Sequence, residues 1–330
     1  MPQKDLKIDI IEFGEVKDVP LVIDDFTLAA KLGIRNRTLW YVIRNKNSLY
    51  KFFELKKPRG GKRAIHTPNP ILKNLQKSIL GRILLPIQLP NHVGAYVPKR
   101  SCSFTAKQHI NKKIVINMDI KDFFTSTKRA MIRNYFNACV GYNYFVSSLL
   151  ADLLTFENFV PQGAPTSGYI TNLVALHRFD FKVKEFLSEI DKEWTYTRYS
   201  DDLAISHPDK QSKETVEKVI KGIEKIVRTA GFKINRKKTR RIPASKQQRI
   251  LGIVVNEKIN IPRLEYRRIR AMIHNCIMLG IDSQVERAGK ENAMQLIQYI
   301  RGKISYFKQI SPRKAGTLAT EFERLLQNEK

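Results

Sequence analysis

Two adjacent carboxylates, Asp201 and Asp202, carry the strongest chemical signal in the sequence. The segments 194–198 and 203–206 on either side are rich in β-branched, aromatic and apolar residues and are predicted strands. The pair therefore lies at the tip of a predicted hairpin. Neighbouring carboxylates repel each other unless a cation neutralises them, and Mg²⁺ takes one or two carboxylates together with substrate phosphates. The tip is a candidate metal clamp, although aspartates also stabilise turns for purely structural reasons.

A third carboxylate, Asp119, lies near the end of an apolar, β-branched run from 114 to 120 that is a predicted strand. An acidic side chain within such a strand is costly unless it is paired or binds a metal. Asp122, in contrast, precedes a helical run and is interpreted as its cap. A small antiparallel sheet with helices on one face would bring Asp119 to the hairpin tip. Three such carboxylates meet the requirement of phosphoryl transfer by two metal ions about 3.5–4 Å apart.

The charge of the chain indicates a polyanionic partner. Lys and Arg number 59 against 31 Asp and Glu, which gives a net charge of +28 over 330 residues and favours nucleic acid. Thirteen of the basic residues lie within 233–270, beside only two acidic ones. A hydrophobic content of 42% indicates a folded protein rather than a basic disordered tail.

Cysteine content and the N-terminus bear on the cellular compartment. The three cysteines, Cys102, Cys139 and Cys276, are odd in number and far apart, so neither a disulfide framework nor a thiolate zinc site is predicted. The first residues lack the apolar region of a signal peptide, and no apolar run reaches membrane-spanning length. We expect a cytoplasmic protein with no membrane partner.

Further elements follow from periodicity and turn residues. Residues 25–45 are predicted to form a helix, a Gly turn and a helix, interpreted as two packed helices in preference to a DNA-reading helix-turn-helix. Gly60 and Gly61 predict a hairpin turn. The turn could bind a triphosphate, or it could simply be a solvated basic turn. Five basic side chains surround that turn: Lys56, Lys57, Arg59, Lys62 and Arg63. More helices are predicted at about 71–85, 129–158, 169–187, 212–230 and 262–330, with a short strand at 250–255.

Three segments together resemble the palm motifs of reverse transcriptases, in the same order and with similar spacing. They are 118–120 with Phe123 and Phe124, the Pro-Gln-Gly-Ala-Pro-Thr-Ser run at 161–167, and the Tyr-Ser-Asp-Asp run at 199–202. Residues 60–65 resemble the fingers segment that grips a triphosphate, 231–239 the next palm motif, and 251–252 the primer-grip hairpin. The resemblance covers about 50–260.

This resemblance implies an α+β protein with the right-hand polymerase architecture, whose palm is an antiparallel sheet with helices on one face. The implied domains are an N-terminal helical extension (1–50), fingers (51–113), a palm (114–255, with a fingers part at about 135–165) and a helical, basic thumb or RNA-binding region (256–330).

The resemblance also implies roles for individual residues. Asp119, Asp201 and Asp202 would be catalytic and, together with Ile120, would hold two Mg²⁺ ions. Phe124 would be the steric gate against a 2′-hydroxyl, although taken alone it is equally compatible with a core position. The other implied nucleotide-binding residues are Lys57, Arg63, Gln162 and Lys238. The implied primer grip is Leu251 and Gly252, and the implied RNA-binding residues are Arg263, Arg267, Arg268 and Arg270.

Among reverse transcriptases, the chain resembles the bacterial retron enzymes. It shows no maturase, endonuclease or RNase H extension, and 105–109 resembles an Asn-Ala-x-x-His motif with Thr105 in place of the Asn. The implied partners are dNTPs, a structured noncoding RNA that is template and primer, its branched product msDNA, and an anti-phage effector protein. Two alternatives stay open: a diversity-generating or abortive-infection reverse transcriptase, and an RNA-binding scaffold that restrains a defence effector. A sequence-specific DNA-binding repressor would leave the three carboxylates unexplained.

Overall fold

The computed structural model describes residues 19–56 and 60–328, which form two compact units. The first unit comprises the described residues up to Arg100 together with Ile116–Ile205 and Gln211–Arg240. The second comprises Ser101–Val115, Ser206–Lys210 and the described residues from Arg241 onward.

The helices, in chain order, are α1 (Asp25–Leu32), α2 (Asn36–Asn45), α3 (Pro70–Ile79), α4 (Cys102–Lys107), α5 (Phe123–Ser126), α6 (Arg129–Tyr135), α7 (Tyr144–Leu153), α8 (Ser167–Ala175), α9 (Phe181–Ile190), α10 (Lys213–Thr229), α11 (Arg263–Leu279), α12 (Asp282–Val285), α13 (Ala293–Lys308) and α14 (Pro312–Asn328). The strands are β1 (Tyr50–Lys56), β2 (Lys62–Pro68), β3 (Ile114–Lys121), β4 (Thr195–Tyr199), β5 (Asp202–His207), β6 (Lys233–Ile234), β7 (Arg240–Pro243), β8 (Arg249–Ile250) and β9 (Ile253–Val254).

Helices α1 and α2 are part of the core of the first unit. The Asp24 side chain caps α1 by accepting a hydrogen bond from the backbone N–H of Thr27 at 2.8 Å. Gly33 ends the same helix in the left-handed conformation, at φ +74°. Leu28 and Leu39 are fully buried in the main hydrophobic cluster, together with residues of α3, α7 and α8. These contacts favour the packed-helix interpretation of residues 25–45.

The sheet of the first unit has the strand order β4-β5-β3-β6. Strands β4 and β5 form the predicted hairpin, and β6 runs antiparallel to β3 with Ile234 opposite Ile120. The backbone N–H of Ile120 donates to the carbonyl of Asp201 at 2.8 Å, so the end of β3 lies beside the hairpin tip. The α+β class and the antiparallel pairing are confirmed.

The second unit contains α4, the β8–β9 hairpin and α11–α14. Lys303 of α13 pairs with Glu265 of α11 at 2.6 Å. The helical character predicted for 262–330 is confirmed over the described residues, which end at 328. The prediction of a single strand at 250–255 is wrong, because the segment contains the turn of the β8–β9 hairpin. Leu251 and Gly252 adopt φ values of +52° and +81°, which are the left-handed values of a two-residue hairpin turn, so the chain reverses there.

Local geometry corrects two more expectations. Asp122 directly precedes α5 but its side chain caps nothing, because its own φ is +51° and only its carbonyl serves the helix. The helix predicted at 71–85 is α3 followed by a π-helical turn, and other such turns follow α6 and separate α8 from α9. Within the described ranges, no helix combines the length and apolar character needed to cross a bilayer.

Candidate active site

A cleft of about 1020 Å³ lies within the first unit. Its walls come from β2, the end of β3, α5, the loop before α8, and the β4–β5 turn. The residues proposed from the sequence that line it are Arg63, Asp119, Ile120, Phe124, Gln162, Asp201, Asp202 and Lys238. The fold thus brings eight of these residues, from positions far apart in the chain, to one surface.

The three aspartates share this cleft and affect one another. Burial raises the pKa of Asp202 to about 6, and the negative charges of Asp201 and Asp119 add to that rise. Burial also raises the pKa of Asp201, again with a contribution from Asp119. Asp202 nevertheless presents an exposed side chain to the open cleft, whereas Asp119 is only 7% exposed. The mutual repulsion shows that the cluster is short of positive charge.

Lys238 supplies part of the missing positive charge. Its ammonium group donates a hydrogen bond to the Oδ2 atom of Asp119 at 2.7 Å, and this bond is the main reason that the pKa of Lys238 is raised. The backbone carbonyl of Asp119 accepts from the N–H of Asn235 at 2.7 Å. The segment after β6 is therefore fixed against β3, which explains how a lysine more than a hundred residues away reaches the aspartate.

The donor set suits a hard divalent cation, because carboxylate oxygens are the ligands that Mg²⁺ prefers. Among the described residues, no three acidic, histidine or cysteine side chains are already spaced around a single ion position. Asp119 is engaged with Lys238, and the remaining repulsion falls on Asp201 and Asp202. The residues fit the metal by chemistry and by charge.

The β1–β2 hairpin forms another wall of the cleft. Its turn includes Gly60 and Gly61 at φ +88° and +85°, and Arg63 on β2 is exposed and lines the cleft. The N–H of His66 donates to the carbonyl of Gln162 at 2.8 Å, which joins the hairpin to the loop before α8. Lys57, another predicted nucleotide-binding residue, lies outside the described residues.

The loop before α8 needs a glycine where it meets the hairpin. Gly163 has φ +123°, and a Cβ atom there would lie 2.9 Å from the backbone carbonyl oxygen of His66. A side chain at this position would therefore push the two segments apart. Gln162 and its loop are held against the cleft by this close backbone contact.

Sequence reasoning missed Arg198, a fully buried arginine on β4. Its guanidinium forms bonds of 2.7–3.0 Å with the Asp180 carboxylate and one of 2.6 Å with the Asn172 side chain. It also donates to the carbonyl of Ser200, in the turn that carries the aspartates, at 3.3 Å. The sequence did contain an indication of this role, because burying the charge of Arg198 in a strand without a partner is as costly as burying that of Asp119.

The other predicted residues belong to the second unit. Leu251 and Gly252 form the β8–β9 turn. The four predicted RNA-binding arginines, Arg263, Arg267, Arg268 and Arg270, all lie on α11 and are exposed.

Comparison with known proteins assigns the sequence to a family. A family model described as reverse transcriptase (RNA-dependent DNA polymerase) matches residues 55–255. The retron Mx65 reverse transcriptase of Myxococcus xanthus is 30% identical over 310 residues, covering 88% of this chain and 68% of the relative. The retron Ec86 reverse transcriptase of Escherichia coli is 28% identical over 306 residues, covering 92% and 89%. A telomerase structure from Candida albicans aligns with 84% of this chain and 58% of its own, at 12% identity and a TM-score of 0.47, too distant to add to the assignment.

Proposed function

Because this chain belongs to the retron reverse transcriptases and is an RNA-directed DNA polymerase with the right-hand fold, we propose that it copies a cognate structured noncoding RNA into branched msDNA. Members of this family act on RNA templates and nucleotides and use divalent metal ions. We further propose which residues of this chain perform the reaction, that the product is branched, and that it serves anti-phage defence.

The observation that carries the proposal is the cluster of three aspartates in a cleft large enough for a nucleotide, where burial and the neighbouring carboxylates raise the pKa of Asp201 and Asp202. Asp119, Asp201 and Asp202, with the backbone of Ile120, would hold two Mg²⁺ ions. When bound, such ions activate the attacking hydroxyl and neutralise the triphosphate. The chain itself orients the carboxylates through the β3–β5 pairing.

The remaining cleft residues act on the nucleotide. Arg63, on the exposed end of the hairpin, binds the triphosphate by charge, and we assign the same role to Lys57, which lies outside the described residues. Gln162 lines the pocket, and Phe124 excludes a 2′-hydroxyl by steric contact. Lys238, which Asp119 keeps charged, adds a positive charge near the departing pyrophosphate. Positioning and charge neutralisation are the main contributions that a protein makes to this reaction.

The second unit supplies the surface for RNA. The exposed arginines of α11, Arg263, Arg267, Arg268 and Arg270, present a basic helix face, and we assign to them the phosphates of the RNA stem-loops, which proteins recognise mainly by shape and backbone. Leu251 and Gly252 form a tight turn that suits a primer grip. In this account the domains follow the boundaries implied by the resemblance, with the thumb at 256–330.

The product and its role follow from the retron assignment. The enzyme would prime DNA synthesis from the 2′-hydroxyl of an internal guanosine of its RNA and leave a branched RNA–DNA molecule. An effector protein encoded nearby would complete the anti-phage system. The support for these steps is the membership of the chain in the retron branch.

The proposed metal-binding pair can be tested by charge removal. Asp201→Asn with Asp202→Asn should abolish DNA synthesis on a primed RNA template, because the ions are the main source of charge stabilisation. RNA retention on a filter should persist, since the arginines are unchanged. The matched control is Glu185→Gln with Glu189→Gln, which removes the same charge from exposed positions on α9 and should leave synthesis intact. Synthesis near the wild-type rate in the double aspartate variant would remove these residues from the reaction.

A further inference from the structure

We propose that Tyr96 is a positioning residue for sugar discrimination, because its ring holds the Phe124 ring in the place where it excludes a 2′-hydroxyl. The inference rests on the proposed function, in which Phe124 is the steric gate. Tyr96 lies in a loop of the first unit between α3 and α4, far in sequence from every palm motif, and it lines the same cleft.

The first observation is the contact between the two rings. The centroids of Tyr96 and Phe124 are 6.0 Å apart with an interplanar angle of 69°, the edge-to-face geometry that aromatic pairs prefer. Phe124 sits on α5, a single turn of four residues whose first residue lacks a side-chain cap. So short a helix does little to fix a side chain by itself. Phe124 also contacts the Phe123 ring and packs against the main hydrophobic cluster, and the Tyr96 ring adds a contact from a residue that lines the cleft.

The second observation is the packing of the Tyr96 ring against helix α8. A Cβ atom at Gly168, the second residue of α8, would lie 2.2 Å from Cγ of Tyr96. The tyrosine ring is thus in direct contact with bare helix backbone, an approach that only glycine permits. With α8 on one side and Phe124 on another, movement of the Tyr96 ring away from Phe124 toward α8 is blocked.

The third observation is the backbone of Tyr96. Its φ is +58°, a left-handed conformation that is unfavourable for a bulky residue and persists only where the surroundings impose it. The preceding residue, Ala95, is held by its carbonyl, which accepts from the Asn172 side chain at 2.6 Å. The N–H of Gly94 donates to the carbonyl of Arg198 at 2.8 Å.

These anchors connect the gate to the buried centre of the unit. Asn172 and Arg198 are both fully buried, and the guanidinium of Arg198 also donates to Ser200 in the turn that carries the aspartates. One rigid network therefore positions both the catalytic turn and the ring behind the gate. Tyr96 itself keeps 53% of its surface exposed, so its ring faces the cleft rather than filling the core.

The test measures kcat/KM for addition of a single dNTP and of the matching rNTP. Tyr96→Ala should lower the ratio of dNTP to rNTP about three- to tenfold, the worth of one aromatic pair. Tyr96→Phe keeps the ring and should keep the ratio. Tyr144→Ala is the matched control, since it removes an exposed tyrosine from α7, outside the cleft, and should leave the ratio unchanged. A purely structural defect would lower both rates together and not the ratio.

A second route covers the case in which Tyr96→Ala fails to fold. Gly168→Ala displaces the ring without removing it and should lower the ratio in the same direction. Phe124→Ala should lower the ratio further, and adding Tyr96→Ala to it should cause no additional loss. An unchanged ratio in Phe124→Ala would overturn the gate and this role with it. A changed ratio in Phe124→Ala beside unchanged ratios in Tyr96→Ala and Gly168→Ala would overturn the role of Tyr96 alone.

Discussion

At the scale of single residues, the cluster of Asp119, Asp201 and Asp202 concentrates negative charge at one place in the cleft. Asp119 has a cation at 2.7 Å in Lys238, whereas burial and the neighbouring charges raise the pKa of Asp202 to about 6. An aspartate with a raised pKa destabilises the folded protein wherever it must ionise. In our proposal, Asp202 therefore serves the reaction at the expense of the stability of the metal-free protein.

The raised pKa of Asp202 predicts how the stability of the variant Asp202→Asn differs from that of the wild type as the pH changes. The folded protein binds the Asp202 proton up to about pH 6, while the unfolded chain loses it near the ordinary value of 3.8. The contribution of Asp202 to the stability of the metal-free wild type should therefore fall as the pH rises from about 4 to about 6. The variant escapes that loss, so in the presence of a chelator its melting temperature should exceed that of the wild type more at pH 7.5 than at pH 4. Equal differences at the two pH values would contradict the raised pKa.

Residue types predicted much of the site, for a physical reason. Asp119, Asp201 and Asp202 stand out because charges beside apolar strands need a partner, and the structure brings them into one cleft. Tyr96 did not stand out, because its proposed role depends on a left-handed backbone and a contact with Gly168. Neither property has a periodic signature in the sequence. The cap predicted for Asp122 failed for a similar reason, since its own φ of +51° is not the extended conformation of a capping residue.

At the scale of elements, the β4–β5 hairpin depends on a buried ion pair. Arg198 and Asp180 are both fully buried, and the hydroxyl of Tyr196 donates to the same carboxylate at 2.6 Å. The Arg198 guanidinium also lies over the rings of Phe123 and Phe179, at 5.5 and 5.8 Å from their centroids. The pair joins the strand that precedes the turn carrying the aspartates to the π-helical turn after α8.

Removing one member of this pair should be costly. Arg198→Met leaves the Asp180 carboxylate buried without its cation, and we expect a loss of about 3–5 kcal/mol in the free energy of unfolding, measured by urea denaturation. Arg198→Met combined with Asp180→Asn removes both charges and should recover part of that loss. If Arg198→Met stays within about 1 kcal/mol of the wild type, an ordinary surface-like value, the pair does not stabilise the hairpin.

Strand and helix positions were predictable where apolar periodicity is strong. The 114–120 strand and the 212–230 helix appear as β3 and α10 with small shifts at their ends. The π-helical turn Leu80–Leu84 and the two-residue β8–β9 turn were not predicted from periodicity. Both depend on local backbone geometry, and a residue such as Leu251 at φ +52° is an uncommon occupant of a hairpin turn.

At the scale of the whole molecule, charge and fold agree on the kind of partner. A net charge of +28 provides sequence-independent attraction for a polyanion, and the polymerase cleft and the exposed arginines of α11 divide the tasks of catalysis and RNA binding in our proposal. Composition predicted nucleic acid correctly as a class. It could not identify the RNA, because phosphate contacts carry no sequence information.

The central claim is that this enzyme makes branched msDNA from its own RNA. The most direct measurement is a denaturing gel of the nucleic acid that copurifies when the gene is expressed with its flanking DNA, run with and without RNase and DNase treatment. Our account predicts a discrete DNA band that shortens after RNase treatment. It also predicts that this band is missing when Asp201→Asn and Asp202→Asn are combined. RNA without any attached DNA from the wild-type enzyme would contradict the claim. In that case, active primer extension on an added template would indicate another polymerase branch, and no extension would indicate an RNA-binding scaffold.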